Sequence, residues 1–322
     1  MPIEVPLLLC FDDRILTGAG VTILSAVRSA RADTRYRFEI VTAGLDPDVE
    51  AALTALVADT GHEMRFHRVA PERFDGLPRS RGSWTEVVYF RLLAAEILPQ
   101  VARVIYSDVD VFVARDLSEL MTLDLGGAEW GGVIAERNAP GTVMHRHFPE
   151  NPNPYIHFSG LMVMDLDRMR ASGAVERYLQ NARTFGPRLK FFDLDLVNLS
   201  STGIAALPLA YCVLEDVYES DDVTRSMDWR YLRSAYGAAD LDAARADPAI
   251  LHFAWPRGKP WQRRDIAVYY ADLERALPDR LRRPTWRDFR KRWLTAKGRR
   301  RLPARTPSVR RGLFGLSRGP ES

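Results

Sequence analysis

Cysteine is scarce in this chain of 322 residues, with only Cys10 and Cys212 present. Both lie in apolar runs (LLLCF and AYCVL), and a pair so far apart makes neither a disulfide framework nor a zinc-ligand spacing. Both are therefore expected to be buried and reduced. Long apolar runs are missing as well. The opening MPIEVPLLLCFDD has no basic leader, and its apolar stretch stops at Asp12, short of a signal peptide and of the roughly 20 residues that a membrane span needs. No later run reaches that length, so a reducing, cytosolic setting is expected. Internal repeats are absent, and so is any low-complexity tract ahead of the C-terminal tail.

What is present is ordinary for a folded enzyme-sized chain: 46% hydrophobic, 10% aromatic and 27% charged residues, enough for one large core or two small ones. The formal charge of +3 conceals an asymmetry, because residues 280–322 hold 15 Lys+Arg against 2 Asp+Glu while residues 1–279 hold 30 against 40. A boundary near Pro278 is expected, with a globular domain over 1–279 and a basic amphipathic tail over 280–322, disordered beyond Pro303.

Glu4 to Phe11 reads as a strand buried on both faces, Gly18 to Ala30 as a helix, and Phe38 to Thr42 as a second strand. Pro47 opens another helix through Thr60, and Glu63 to Val69 is a third strand. Glu86 to Leu98 reads as one helix, and Arg103 to Tyr106 as a strand running into Ser107-Asp108-Val109-Asp110. Beyond it, Gly131 to Ala135 and Leu161 to Asp165 are strand-like, Asp167 to Ala182 is helical, and Asp193 to Ser200 is a short helix. Asn138 to Tyr155 is a long irregular loop, which in a compact domain is more often functional than idle. The alternation of strands and helices predicts an α/β, Rossmann-like nucleotide-binding sheet with ligands at the carboxyl ends of its strands.

The chemistry centres on VIYSDVDVFV. Residues two apart in extended chain project to one side, so Asp108 and Asp110 can face one ligand. Carboxylate oxygens suit a hard cation such as Mg²⁺ or Mn²⁺ with open positions for phosphate. Two solvated turn aspartates are the other reading, and the motif alone leaves both open.

Six motifs in order, CFDD (10–13), YFRL (89–92), YSDVDV (106–111), FSGLMVMDL (158–166), FFDLDLVN (191–198) and HFAWPRGKPW (252–261), resemble family 8 glycosyltransferases over about residues 5–265. That family includes glycogenin and the bacterial lipopolysaccharide galactosyl- and glucosyltransferases. The resemblance implies a GT-A type nucleotide-sugar-binding domain with a mixed central sheet, a basic helical tail, Mn²⁺ or Mg²⁺ as cofactor, and retaining transfer of galactose or glucose from a UDP-sugar. The implied acceptor is a glycan, lipopolysaccharide or another surface glycan, in lipid-linked form. By the same resemblance Asp12 would meet the uracil edge and Arg91 the donor phosphate or sugar. Asp108 would touch ribose and metal, and Asp110 and His252 would complete the metal ligands. Gly160 would let backbone approach the sugar, Asp193 would bind its hydroxyls, and Lys259 would supply charge to the UDP leaving group.

Departures from the family pattern bear on catalysis. Leu194 stands where many members carry Gln between the two aspartates, so double displacement through that side chain is excluded. Either Asp195 is the nucleophile or the leaving phosphate assists a front-face attack, the alternative favoured here. Phe158 replaces a common Asn, Ile15 lies near the usual uracil-stacking aromatic, and Trp255 stands where glycine is usual, in a loop one residue longer than in the bacterial enzymes. Leu194 and Phe158 support a competing reading, a catalytically silent sugar-nucleotide or glycan-binding protein that keeps the fold. A phosphatase of the haloacid-dehalogenase type needs Thr where this chain has Phe112, and is excluded.

In the tail, Trp286, Phe289, Trp293 and Leu294 recur at helical spacing among arginines, a pattern suited to an anionic membrane surface. A peripheral position on the inner face of the plasma membrane is expected. The acidic body and the lack of a recognition motif argue against nucleic acid.

Overall fold

The computed structural model describes residues 2–77, 85–142, 148–254, 258–263 and 267–282. Trp255 and the tail residues Trp286, Phe289, Trp293 and Leu294 lie outside them.

The first half builds as the hydrophobic pattern dictates. Strand β1 (Ile3–Cys10) leads through α1 (Leu16–Ser29) to β2 (Thr34–Thr42), and α2 (Pro47–Ala55) leads to β3 (Glu63–Arg68). Two short helices, α3 (Val87–Phe90) and α4 (Ala94–Ile97), precede β4 (Arg103–Ser107), and β5 (Val111–Val113) follows the Asp108–Asp110 turn. The second half adds β6 (Trp130–Arg137), β7 (Tyr155–His157), β8 (Leu161–Asp165), α5 (Leu166–Ser172), α6 (Ala174–Phe185), α7 (Asp193–Ser200), β9 (Ile204–Leu207) and β10 (Val213–Leu214). Helices α8 (Glu215–Glu219), α9 (Trp229–Leu232) and α10 (Ala238–Ala246), strand β11 (Ile250–His252) and helix α11 (Val268–Ala276) complete it.

The main sheet has eight strands in the order β3-β2-β1-β4-β8-β6-β7, with β9 on β6. Strands β1 to β4 run parallel, while β8 is antiparallel to both β4 and β6, so the sheet is mixed. A second sheet, β10-β11-β5, pairs β5 antiparallel with β11. Strand alternation divides the interior in two. Leu7, Leu9, Phe11 and Ile105 face a core shared with α1, α11 and the second sheet. Leu8, Cys10, Tyr106 and Met162 face the other, under α3 to α7. Helix α1 also anchors β5: Thr22 Oγ1 donates to the Val111 carbonyl at 2.9 Å, and Ser25 Oγ accepts from the Val113 amide at 3.0 Å. Both cysteines are buried and free.

Three helices differ from expectation. The stretch Asp167–Ala182 is two helices because Gly173 adopts φ +65°, a left-handed conformation that ends α5 and starts α6. The helix opened by Pro47 stops at Ala55, since Asp59 and Gly61 take φ of 60° and 75° and reverse the chain. Glu86–Leu98 tightens to a 3-10 turn at Arg91–Leu93, and a mid-helix 3-10 stretch often marks a hinge or local strain. Leu281, beyond the expected boundary at residue 279, is fully buried in the α1 core, and its carbonyl accepts from Thr17 Oγ1 at 3.0 Å.

Candidate active site

Parallel pairing of Leu7–Leu9 with Ile105–Ser107 sets the carboxyl ends of β1 and β4 side by side. Asp108 leaves β4 with its amide still bonded to the Gly160 carbonyl at 2.8 Å, continuing the antiparallel ladder onto β8. Two residues back on the same face, the Tyr106 hydroxyl donates to Asp108 Oδ1 at 2.6 Å. The chain then turns through Asp110 into β5, whose register sets Val111 opposite His252, and the Phe253 amide donates to the Asp110 carbonyl at 2.9 Å. Strand pairing between distant segments thus brings the imidazole to the carboxylates.

His252 Nε2 lies 3.3 Å from Asp110 Oδ1 and 3.6 Å from Asp108 Oδ2, and its Nδ1 faces Cys212 Sγ at 3.6 Å. Gly160 is required by this crowding, because a Cβ there would meet His252 Cε1 at 2.3 Å. Asp108, Asp110 and His252 each offer one ligand atom, all within 4.8 Å of one another. Two carboxylate oxygens and an imidazole nitrogen fit Mn²⁺ or Mg²⁺, the nitrogen favouring Mn²⁺. Lys259 pairs with Asp110 Oδ2 and donates to the Phe253 carbonyl at 3.2 Å.

Arg91 joins this cluster to a third carboxylate. Its guanidinium is 2.9 Å from Asp108 Oδ1 and 3.1 Å from Asp193 Oδ2, donates to the Ser159 carbonyl at 3.1 Å, and stacks on the Tyr106 ring 4.1 Å from its centroid. Ser159 Oγ donates to Asp193 Oδ2 at 3.0 Å. Asp193 opens α7 immediately after Phe192, a non-glycine residue at φ +44°, whose ring is buried edge-on to Tyr89. Such strain costs on the order of 1–3 kcal/mol and clusters at functional sites.

Burial would raise the Asp110 pKa, but Lys259 and His252 outweigh it and hold the carboxyl well below the usual range. Burial also opposes the imidazolium of His252, which the Asp110 carboxylate nevertheless holds well above the usual histidine value. Asp193 behaves differently. Its burial pushes the pKa up to about 6, Asp108 adds to the rise, and Arg91 only partly offsets it.

Seven sequence candidates, Arg91, Asp108, Asp110, Gly160, Asp193, His252 and Lys259, therefore meet in one connected cluster. Asp12 sits at the end of β1 with its carboxylate on the Arg14 amide at 3.0 Å and on the Arg14 guanidinium, capping the turn Asp13–Ile15. Asp195 Oδ2 accepts from the Lys190 and Phe191 amides at 2.7 and 2.9 Å, bracing the turn ahead of Asp193. Leu194 is half-buried beside a small recess lined by Phe148, Asn151, Ile156 and Asn198, and Ile15 and Phe158 pack against the larger core.

Sequence reasoning missed Tyr106, Ser159 and Cys212. The first two were findable, since each lies inside a quoted motif and Tyr106 is in phase with Asp108. Nothing in LAYCVL distinguishes Cys212 from a core residue. Gly18 was missed too: a Cβ there would meet the Val109 carbonyl at 2.5 Å and the Trp261 ring at 2.6 Å, so this glycine lets both the Asp108–Asp110 turn and Trp261 pack against α1.

Residues 6–265 match the family model for Glycosyl transferase family 8. The chain is 27% identical over 203 residues to the lipopolysaccharide 1,2-glucosyltransferase of Escherichia coli K12, covering 62% of this chain and 59% of that protein. It is 29% identical over 126 residues to the lipopolysaccharide 1,3-galactosyltransferase of Salmonella typhimurium LT2, covering 39% and 37%. The matched region spans less than two thirds of the length of either relative. Among solved structures, galactosyltransferase LgtC in complex with donor and acceptor sugar analogs superimposes with a TM-score of 0.70 at 21% identity, over 89% of this chain and 100% of that one. The likeness shows the GT-A fold.

Proposed function

The chain belongs to Glycosyl transferase family 8, and on that premise we propose that it is a metal-dependent hexosyltransferase using a UDP-sugar, galactose or glucose, as donor. The observation that carries the reading is the convergence of Asp108, Asp110 and His252 within 4.8 Å at the carboxyl end of β4, with Lys259 on Asp110. The two carboxylates and His252 would hold the cation, which when bound screens the donor diphosphate. Lys259 then turns from Asp110 to the leaving phosphate, where negative charge develops. Arg91 positions Asp108 and Asp193 together, and Asp193 takes the donor sugar hydroxyls. Asp12, at the end of β1, exchanges Arg14 for the uracil edge. Asp195 stays on the amides of its own turn, so we favour front-face attack with retention over a covalent intermediate on that carboxylate.

The acceptor we propose is a lipid-linked surface glycan of the lipopolysaccharide kind. No helix among the described residues is long and apolar enough to cross a membrane. The basic tail is proposed to bring a cytoplasmic catalytic domain to the inner face of the membrane through anionic lipid. Leu194, where the family pattern has Gln, favours a second reading in which the chain binds nucleotide sugar without turnover. UDP release from UDP-glucose and UDP-galactose, with Mn²⁺ or with chelator, separates them. Release that requires metal supports the enzyme, and UDP binding without release from either donor supports the silent module.

A further inference from the structure

Each of the three candidate ligands turns one atom toward the shared site, and its other polar atom is already engaged. Asp108 Oδ2 faces His252 Nε2, while its Oδ1 accepts from the Tyr106 hydroxyl at 2.6 Å and from Arg91 at 2.9 Å. Asp110 turns Oδ1 to the imidazole and Oδ2 to Lys259. His252 repeats the pattern, with Nε2 toward both carboxylates and Nδ1 toward Cys212 Sγ, 3.6 Å away. Of these outer partners, Cys212 is the one to which the reading above gives no role.

The small sheet fixes where the thiol lies. Leu214 of β10 is paired with His252 of β11, so Cys212, two residues before Leu214, falls on the imidazole's side. One step further back, the Ala249 amide donates to the Ala210 carbonyl at 2.8 Å and ties the two chains together ahead of the pair. Cys212 is 2% exposed and His252 7%, and Gly160 closes on the ring from β8, leaving no room for a Cβ beside Cε1 and Nδ1. A nitrogen that ligates a cation offers its lone pair, so ligation through Nε2 puts the ring proton on Nδ1. A buried N–H without an acceptor is costly. Among the described residues, Cys212 Sγ is the hydrogen-bond partner that Nδ1 has.

We propose that Cys212 is a positioning residue for the metal site: its sulfur accepts the Nδ1–H of His252 and so fixes the ring proton and the ring plane, with the Nε2 lone pair aimed at the space between Asp108 and Asp110. The proposal deepens the metal-dependent reading of this site and rests on it. Metal-ligating histidines commonly have their second nitrogen held by a carboxylate, a carbonyl or water, and loss of such a partner costs about 10–100-fold in metal affinity. A thiol is a weaker acceptor than any of these, so the lower end of that range applies here.

The test is titration of Mn²⁺ onto the full chain, as wild type, Cys212→Ala and Cys212→Ser, read by the loss of the free-ion EPR signal. Cys212→Ala is expected to bind Mn²⁺ about tenfold more weakly than wild type, and Cys212→Ser within about threefold, because its hydroxyl keeps an acceptor. A cysteine that only fills space predicts no change in Mn²⁺ affinity for either variant, and a less stable serine variant, since a buried hydroxyl without a partner is costly. A second measurement needs no substitution: in wild type with isotope-labelled histidine rings and Mg²⁺ bound, NMR should find the His252 proton on Nδ1. Equal Mn²⁺ affinity in wild type and Cys212→Ala, a serine variant no better than the alanine variant, or a ring proton on Nε2 overturns the proposal. If the wild type takes up no Mn²⁺, the metal-dependent reading falls together with it; if wild type and Cys212→Ala bind Mn²⁺ equally well, that reading stands and only the role of the thiol falls.

Discussion

Replacing Gly160 with alanine tests the packing of the site most sharply. The new Cβ would lie 2.3 Å from His252 Cε1, 2.8 Å from Nδ1 and 3.2 Å from Asp108 Oδ2, where ordinary contact begins at 3.4 Å. The imidazole must therefore retreat by about 1 Å, since β8 is fixed to β4 through the Gly160 carbonyl and the Asp108 amide. Behind the ring stands Cys212 Sγ at 3.6 Å from Nδ1, and β10 holds β11 in register, so the ring turns out of line with the carboxylates rather than sliding straight back. A misplacement of about 1 Å at a catalytic site costs roughly 10²-fold in rate, and a disturbed metal-ligand orientation costs about 10–100-fold in metal affinity. Mn²⁺ binding, followed by the loss of the free-ion EPR signal, is expected to weaken at least tenfold, with metal-dependent UDP release falling about a hundredfold. Mn²⁺ affinity and UDP release both within twofold of wild type would refute the argument that Gly160 is there to make room for His252.

Other expectations follow from the same network. Arg91→Ala leaves Asp108 and Asp193 without their shared guanidinium, and urea unfolding should show a loss of about 3–5 kcal/mol, the order expected when one partner of a buried ion pair is removed; Arg91→Lys should recover little, because an ammonium cannot fork between two carboxylates. Asp193 has its folded pKa raised to about 6, so between roughly pH 4 and 6 the native state holds a proton that the unfolded chain has lost, and the group's contribution to stability falls as pH rises through that window. Measured with chelator present, the stability of Asp193→Asn relative to wild type should therefore improve from pH 4 to pH 6 and then level off; a flat difference would contradict the assignment. Deletion of residues 283–322 should preserve the melting temperature and weaken co-sedimentation with phosphatidylglycerol vesicles, whereas deletion from residue 280 should also lower the melting temperature, because Leu281 is fully buried. Equal vesicle binding by the 283–322 deletion would remove the membrane role.

The site was legible where chemistry and local order coincide. Strand β4 ends in a D-x-D whose two-residue period lets both carboxylates face one ligand, and the six ordered motifs, which decide for that reading, carry His252 and Lys259 with it. Register between distant segments was not legible: β5, β10 and β11 are two or three residues long, too short to show periodicity, yet their pairing is what sets His252 against Asp110. Tertiary demands also overrode helix propensity. Nothing in EVVYFRLLAAEIL signals a 3-10 turn, which appears at Arg91–Leu93, where Arg91 reaches Asp108 and Asp193. Gly173 was a visible break that the apolar spacing on either side of it concealed. Asp12 shows the limit of side-chain reading, since one carboxylate suits both a turn cap and a ligand edge, and in this structure it caps.

The central claim is that Asp108, Asp110 and His252 hold a divalent cation on which nucleotide binding depends. Calorimetric titration of UDP onto wild type and Asp110→Ala, each with Mn²⁺ and with chelator, tests it most directly. UDP should bind the wild type at least tenfold more tightly with Mn²⁺ than with chelator, and Asp110→Ala should lose that difference. Equal UDP affinity with and without the metal in the wild type, or a metal effect that survives in Asp110→Ala, would contradict it.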